Sequence, residues 1–179
     1  QVTPYMGKNG TEESFLNMHG KSPKLLHLAT HGFYYTPNRA ENVDYLKGYI
    51  DAMSLSGLVF SGGNAAWLGK PLPKGVLGGI LSANDIARLD LSNTDMVVLS
   101  ACQTGQGKAT AEGLYGLQRA FKKAGVGTIV MSLWNVSDKT TSEFMTTFYE
   151  RLADKKNAWN KRKAFEEAKE IIRQKHPDP

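Results

Sequence analysis

A short apolar run that stops at small and polar residues constrains this chain most strongly. Met96 to Leu99 is followed by Ser100-Ala101-Cys102, and Gly105 comes soon after. A continuous apolar run of this length is typical of a strand buried on both faces. In open α/β sheets, chemistry collects beyond the carboxyl ends of the strands. The pattern therefore predicts that Cys102, the only cysteine in the chain, lies where a buried strand passes into a loop.

A second strand-like run ends in a histidine. Lys24 to Thr30 is largely apolar, and His31-Gly32 terminates it. If the two strands lie parallel and adjacent, His31 and Cys102 meet at the same edge of the sheet. A nucleophilic cysteine needs a nearby base or positive group, because the thiolate is the reactive form. The alternative is that Cys102 is a buried small hydrophobe, since spacing in sequence does not establish spatial proximity.

The rest of the chain alternates between strand-like and helix-like segments. Thr11, Ser82 and either Ser137 or Asp138 are expected to cap helices, and Gly125 to end one. Strands alternating with helices predict an α/β three-layer sandwich with a mainly parallel central sheet. Further segments are expected as loops at 33–54 and 65–75, a strand at 56–64, helices at 112–124 and 158–174, and a strand at 128–134.

Composition favours one domain and excludes several classes of protein. Hydrophobic residues make up 41% of the 179, enough for a sizeable core. No apolar run is long enough to span a membrane. A single cysteine permits no internal disulfide, which fits a reducing compartment such as the cytoplasm. Because the chain opens on Gln1 rather than Met, we expect a fragment of a longer protein.

The net charge of +5 does not by itself indicate a nucleic-acid partner. The basic residues concentrate between Lys155 and Lys175, where glutamates interrupt them. This pattern is typical of a solvated helix face or of a surface that meets another domain. No two histidines show metal-ligand spacing with a carboxylate or with Cys102, so no metal is expected. We expect no other cofactor either. His27, inside a strand, is expected to be structural.

Several ordered motifs resemble the CHAT family, which comprises caspase-like cysteine peptidases of clan CD that are often fused to tetratricopeptide repeats. The principal motifs are Leu26-His27-Leu28-Ala29-Thr30-His31-Gly32 and Leu99-Ser100-Ala101-Cys102-Gln103-Thr104-Gly105. The resemblance continues through segments 112–114, 120–125, 132–138 and 148–149. It implies a caspase-like fold, a protein or peptide substrate, and repeat domains upstream. The family usually continues into a final aromatic-rich strand, and we expect this chain to lack it.

The resemblance also implies a catalytic dyad of His31 and Cys102. Backbone N–H groups of Gly32 and Cys102 would stabilise the oxyanion. Glu112 and Asp138 are candidates for a third catalytic residue, although Asp138 would equally serve as a helix cap. Residues expected to line the substrate groove are Ser100, Trp134, Asn135 and Asp138.

The sequence is compatible with three hypotheses of function. The first is a cysteine endopeptidase that uses His31 and Cys102. The second is a catalytically silent module that keeps the fold for protein interaction. The third is a cysteine hydrolase acting on another acyl bond, such as an isopeptide. Ser100 stands where basic-specific relatives carry an acidic residue, so the cleavage preference stays open.

Overall fold

The computed structural model describes residues 2–34, 53–72, 76–100, 111–132 and 137–177, without the side chains of 111–114 and 138. The chain divides into two compact units, Gln1–Asn135 and Val136–Pro179. In the described ranges, no helix is long and apolar enough to cross a membrane.

Two three-stranded sheets form the framework of the first unit. The parallel sheet has the order β1-β5-β6, with β1 at Leu25–Leu28, β5 at Met96–Leu99 and β6 at Thr128–Met131. The antiparallel sheet has the order β2-β3-β4, with β2 at His31–Tyr34, β3 at Ser56–Val59 and β4 at Ile80–Ser82. The structure is thus mixed α/β, as predicted. The separate antiparallel sheet was not expected.

Strand β5 is central to the parallel sheet and buried on both of its faces. The relative exposure of its four residues, Met96 to Leu99, is at most 3%. Such a strand must be apolar throughout, because neither face meets water. The prediction of a doubly buried strand before Cys102 is therefore confirmed.

Short capped helices accompany these strands. In α1 (Glu12–Leu16), the Thr11 hydroxyl accepts a hydrogen bond from the N–H of Ser14, and in α3 (Ala83–Ile86) Ser82 accepts one from Asp85. Both caps satisfy backbone donors that a helix leaves free at its start, as predicted. The longer α4 (Ala111–Lys123) is followed by Gly125, whose φ of 95° suits glycine.

One predicted loop contains a helix. Residues 65–75 were expected to be irregular, but α2 occupies Gly63–Trp67. Its N-cap is Gly62, with a φ of 96° and no capping side chain. The helix therefore begins without the Ser, Thr, Asp or Asn signal that reveals α1 and α3 in the sequence.

The core of the first unit lies against one face of the parallel sheet. Leu26, Val97 and Leu99 belong to it, together with Phe15 of α1 and Phe121 of α4. The two aromatic rings meet edge to face, with centroids 6.5 Å apart. This arrangement is a preferred geometry for aromatic pairs.

The second unit is a pair of helices, α5 (Asp138–Ala153) and α6 (Lys161–Lys175), with a 3-10 turn at Lys155–Asn157 between them. The Ser137 hydroxyl accepts a hydrogen bond from the N–H of Thr140 and caps α5. Met145, Phe148 and Leu152 are buried and form the inward face of α5. Phe148 packs edge to face on Phe165 of α6, with centroids 6.0 Å apart.

The last helix starts three residues later than the predicted position, Ala158. Ala158 and Trp159 have positive φ values of 45° and 60°, which an α-helix cannot contain. Asn160 then caps the helix by accepting a hydrogen bond from the N–H of Lys163. Most basic side chains of α6 are exposed. One of them, Lys169, forms a surface ion pair in which its Nζ lies 3.3 Å from Oε2 of Glu166.

Candidate active site

Strands β1 and β5 end side by side. They pair in parallel, with Leu28 aligned to Leu99. The N–H of Ser100 donates to the carbonyl of Leu28 at 3.0 Å, which extends the pairing by one residue. Strands β1 and β5 are therefore parallel and adjacent. The expected proximity of His31 and Cys102 depends on this arrangement.

His31 and Cys102 follow these aligned ends at the same distance in sequence. His31 comes three residues after Leu28, and Cys102 three residues after Leu99. The side chain of His31 is exposed. Cys102 itself lies outside the described residues.

The segment around His31 differs from its expected form. The first strand ends at Leu28, and His31 opens β2 of the other sheet, paired with Val59. The hydroxyl of Thr30 donates to the carbonyl of Val59 and fastens the crossing point. His31 is therefore held by a strand ladder and not by a free loop. Gly32, its neighbour, is buried and lies opposite Leu58.

Ser100, a predicted groove residue, contacts a histidine that was expected to be structural. Its Oγ lies 2.9 Å from Nε2 of His27 in β1. The ring of His27 is exposed at the sheet surface, yet neighbouring atoms desolvate it enough to lower its pKa below the ordinary value of 6.5. A neutral imidazole offers one donor and one acceptor, so either tautomer can bond a hydroxyl. Sequence reasoning missed this pair, although the alternation of the two strands places both residues on one face.

The other predicted site residues are not described by the structure. Trp134 and Asn135 lie outside the described residues, as do the side chains of Glu112 and Asp138. The N-cap of α5 is Ser137, so Asp138 occupies the first helical position and is not the cap. Among the described residues, no group of three or more His, Cys, Asp or Glu side chains is arranged to hold a metal.

Comparison with known proteins gives two similar curated relatives and a family. Tetratricopeptide repeat protein 28 of Mus musculus is 40% identical over 73 residues, which is 41% of this chain and 3% of that protein. The Homo sapiens protein of the same name is 37% identical over 73 residues, with the same coverage. The chain thus spans only a small part of these relatives. No solved structure gives a significant match. The CHAT domain family matches residues 1–179, and the chain therefore belongs to that family.

Proposed function

We propose that this chain is a caspase-like cysteine endopeptidase domain with a dyad of His31 and Cys102. The observation that carries the proposal is the register of β1 and β5. Leu28 and Leu99 are aligned, and the histidine and the cysteine each follow three residues later. Membership of the CHAT family supports the same assignment. The proposal includes a three-layer caspase-like sandwich over residues 1–179.

The proposed chemistry is acyl transfer through a thioester. The thiolate of Cys102 attacks the scissile carbonyl, forming the carbon–sulfur bond while the carbonyl electron pair moves to oxygen. Backbone N–H groups of Gly32 and Cys102 would stabilise that oxyanion. The tetrahedral intermediate then collapses: the carbonyl re-forms, the carbon–nitrogen bond breaks, and His31, protonated in the first half-reaction, gives its proton to the leaving amine. The thioester that remains is attacked by water, which gives a proton to His31. The carbon–sulfur bond then breaks, and the acid product leaves the Cys102 thiolate and the protonated His31 as at the start.

The described position of His31 suits this role. The side chain is exposed, so a substrate can reach it. Its backbone is held in the β2–β3 ladder opposite Val59. A catalytic base on a strand is positioned more reproducibly than one on a loop. The proposal keeps Ser100, Trp134, Asn135 and Asp138 as the candidates for the substrate groove.

A silent interaction module is the second candidate. The two curated relatives are named for their tetratricopeptide repeats, and the name of neither mentions a peptidase. We accordingly propose that repeat domains precede this chain in the full protein and present a protein or peptide partner to it in the cytoplasm. In the first candidate that partner is cleaved, and in the second it is only bound.

The deciding experiment uses the single thiol of the chain. The protein is incubated with a peptide library and, separately, with an irreversible thiol electrophile, followed by mass spectrometry. Cys102→Ala and His31→Gln should each lower cleavage by about 10³-fold or more, because dyad members act as a unit. His19→Gln is the matched control, since His19 is outside the proposed dyad and its Nδ1 accepts a hydrogen bond from the N–H of Asp90.

Each outcome separates the candidates. Undiminished cleavage by Cys102→Ala would refute the peptidase. Absence of cleavage by the unaltered chain, with partner binding equal in Cys102→Ala, would support the silent module. Matched ester, amide and isopeptide substrates distinguish a peptidase from a hydrolase of another acyl bond.

A further inference from the structure

The carboxyl end of β5 is tied to β1 by two hydrogen bonds from one residue. The N–H of Ser100 donates to the carbonyl of Leu28 at 3.0 Å. The hydroxyl of Ser100 lies 2.9 Å from Nε2 of His27. Both the backbone and the side chain of Ser100 are therefore fixed to the neighbouring strand at the last described residue before Cys102.

The register explains why these two side chains meet. His27 is aligned with Val98 across the parallel pair. Ser100 lies two residues beyond Val98, and alternation along a strand returns its side chain to the same face. Leu26 and Leu28, which alternate with His27, are buried in the core on the opposite face. A histidine and a serine thus stand on the less enclosed side of the sheet, at the end where the proposed chemistry lies.

We propose that His27 and Ser100 form a positioning pair that fixes the start of the segment carrying Cys102 and so sets the reactivity of its thiol. This inference rests on the proposed function, because it concerns the residue proposed as nucleophile. Ser100 precedes Cys102 by two residues. A rotation of the backbone at Ser100 is therefore carried directly into the peptide units that lead to the thiol. In this role the pair acts on Cys102 through the backbone of Ser100, separately from any contact that Ser100 makes with substrate as a groove residue.

If the hydrogen bond between His27 and Ser100 only stabilised the fold, any comparable hydrogen bond between the same two strand segments would affect the thiol equally. The other end of this strand pair provides such a bond as a control. At the other end of the pair, the hydroxyl of Thr94 donates to the carbonyl of Pro23 at 2.8 Å. Thr94 is buried, with 1% exposure. Thr94→Val removes a hydrogen bond between the same two segments, but at the end remote from Cys102. It should lower thermal stability without changing the reactivity of the thiol.

The test measures alkylation of the single thiol by iodoacetamide as a function of pH, alongside kcat and KM for any peptide that the chain cleaves. Ser100→Ala and His27→Leu remove the hydrogen bond. Each should lower the alkylation rate and kcat by about two- to tenfold, as expected for one lost hydrogen bond. In His27→Leu, which alters no proposed groove residue, KM should stay unchanged. His27→Gln places an amide near the position of Nε2 and should restore most of both rates.

Failure of this inference is distinguishable from failure of the proposed function. If the chain cleaves nothing, but the alkylation profile changes in Ser100→Ala and His27→Leu and stays close to that of the unaltered chain in His27→Gln, the positioning pair stands and the peptidase does not. If the alkylation rates of Ser100→Ala and His27→Leu match that of the unaltered chain, the pair is refuted, whether or not cleavage occurs. Equal effects of Thr94→Val would refute it too, since stability alone would then explain the rates. Labelling of Ser100 by a fluorophosphonate would overturn it by making Ser100 itself a nucleophile.

Discussion

Replacing Gly57 with alanine tests the packing of the antiparallel sheet that holds His31. Gly57 lies in β3 between Phe33 of β2 and Ser82 of β4. An added Cβ would stand 2.3 Å from the carbonyl oxygen of Leu81 and 2.6 Å from the ring of Phe33. Both separations are far below van der Waals contact, so the neighbours must move.

The two clashes differ in how easily they are relieved. The carbonyl of Leu81 belongs to β4, so moving it disturbs the pairing of that strand with β3. The ring of Phe33 can rotate, although Trp67 packs edge to face against it at 5.8 Å. Overpacking of this kind costs about 1–3 kcal/mol, and the rigid carbonyl favours the upper end. Alanine also restricts the unfolded chain, which offsets about 0.4–1 kcal/mol.

We therefore expect Gly57→Ala to lower the free energy of unfolding by about 2 kcal/mol. For a chain of this size, that loss corresponds to a decrease in Tm of about 4–8 °C. Urea denaturation followed by circular dichroism measures the first quantity and a thermal scan the second. Gly78→Ala is the matched control, because the nearest atom to its added Cβ is Glu12 Oε2 at 3.7 Å.

A double variant separates the contributions of the two clashes. Phe33→Leu removes the ring and leaves the carbonyl in place. Adding Gly57→Ala to Phe33→Leu should therefore still cost more than 1 kcal/mol, by the same overpacking argument. If Gly57→Ala costs no more than Gly78→Ala, or if it costs nothing in the Phe33→Leu background, the reasoning from the backbone clash is wrong.

Three further predictions concern single side chains. Ser137→Ala should lower the free energy of unfolding by about 1 kcal/mol, because it removes the hydroxyl that accepts a hydrogen bond from the N–H of Thr140. Ser137→Asp should retain most of the stability of the unaltered chain, and urea denaturation measures both variants. Because folding lowers the pKa of His27, the unfolded chain binds the proton more tightly. Stability should therefore fall as pH drops below about 6.5, and thermal scans should show less of this fall in His27→Gln. Burial raises the pKa of Tyr149 to about 12, so its stabilising contribution is present below pH 10 and lost between 10 and 12; Tyr149→Phe should show a smaller alkaline loss in the same scans.

The elements that the sequence predicted correctly are those with strong local signals. Thr11, Ser82 and Ser137 each stand directly before a helix and accept a hydrogen bond from its first turn. The unbroken apolar run of β5 identifies a doubly buried strand without any knowledge of its neighbours. Such features depend on a few consecutive residues, so the sequence alone is enough to recognise them.

The missed elements depend on distant partners. Strand β2 follows β1 after two residues, and its four residues form a strand because β3 pairs with them from more than twenty positions away. Helix α2 begins at a left-handed glycine that carries no capping side chain. The hydrogen bond between His27 and Ser100 likewise joins residues 73 positions apart. The local secondary-structure propensities of these residues do not encode such pairings. Once the parallel register of β1 and β5 is known, however, the hydrogen bond between His27 and Ser100 follows from it directly.

The short crossing from β1 to β2 limits how the chain can change in length. Only Ala29 and Thr30 separate the two strands, and Thr30 is fastened to Val59. An insertion of one residue here would either bulge out of the crossing or shift β2 by one step, which turns every side chain of that strand to its other face. His31 would then exchange its surface position for that of the buried Gly32. Natural variation in length should accordingly avoid this crossing, and so should any engineered tag or linker.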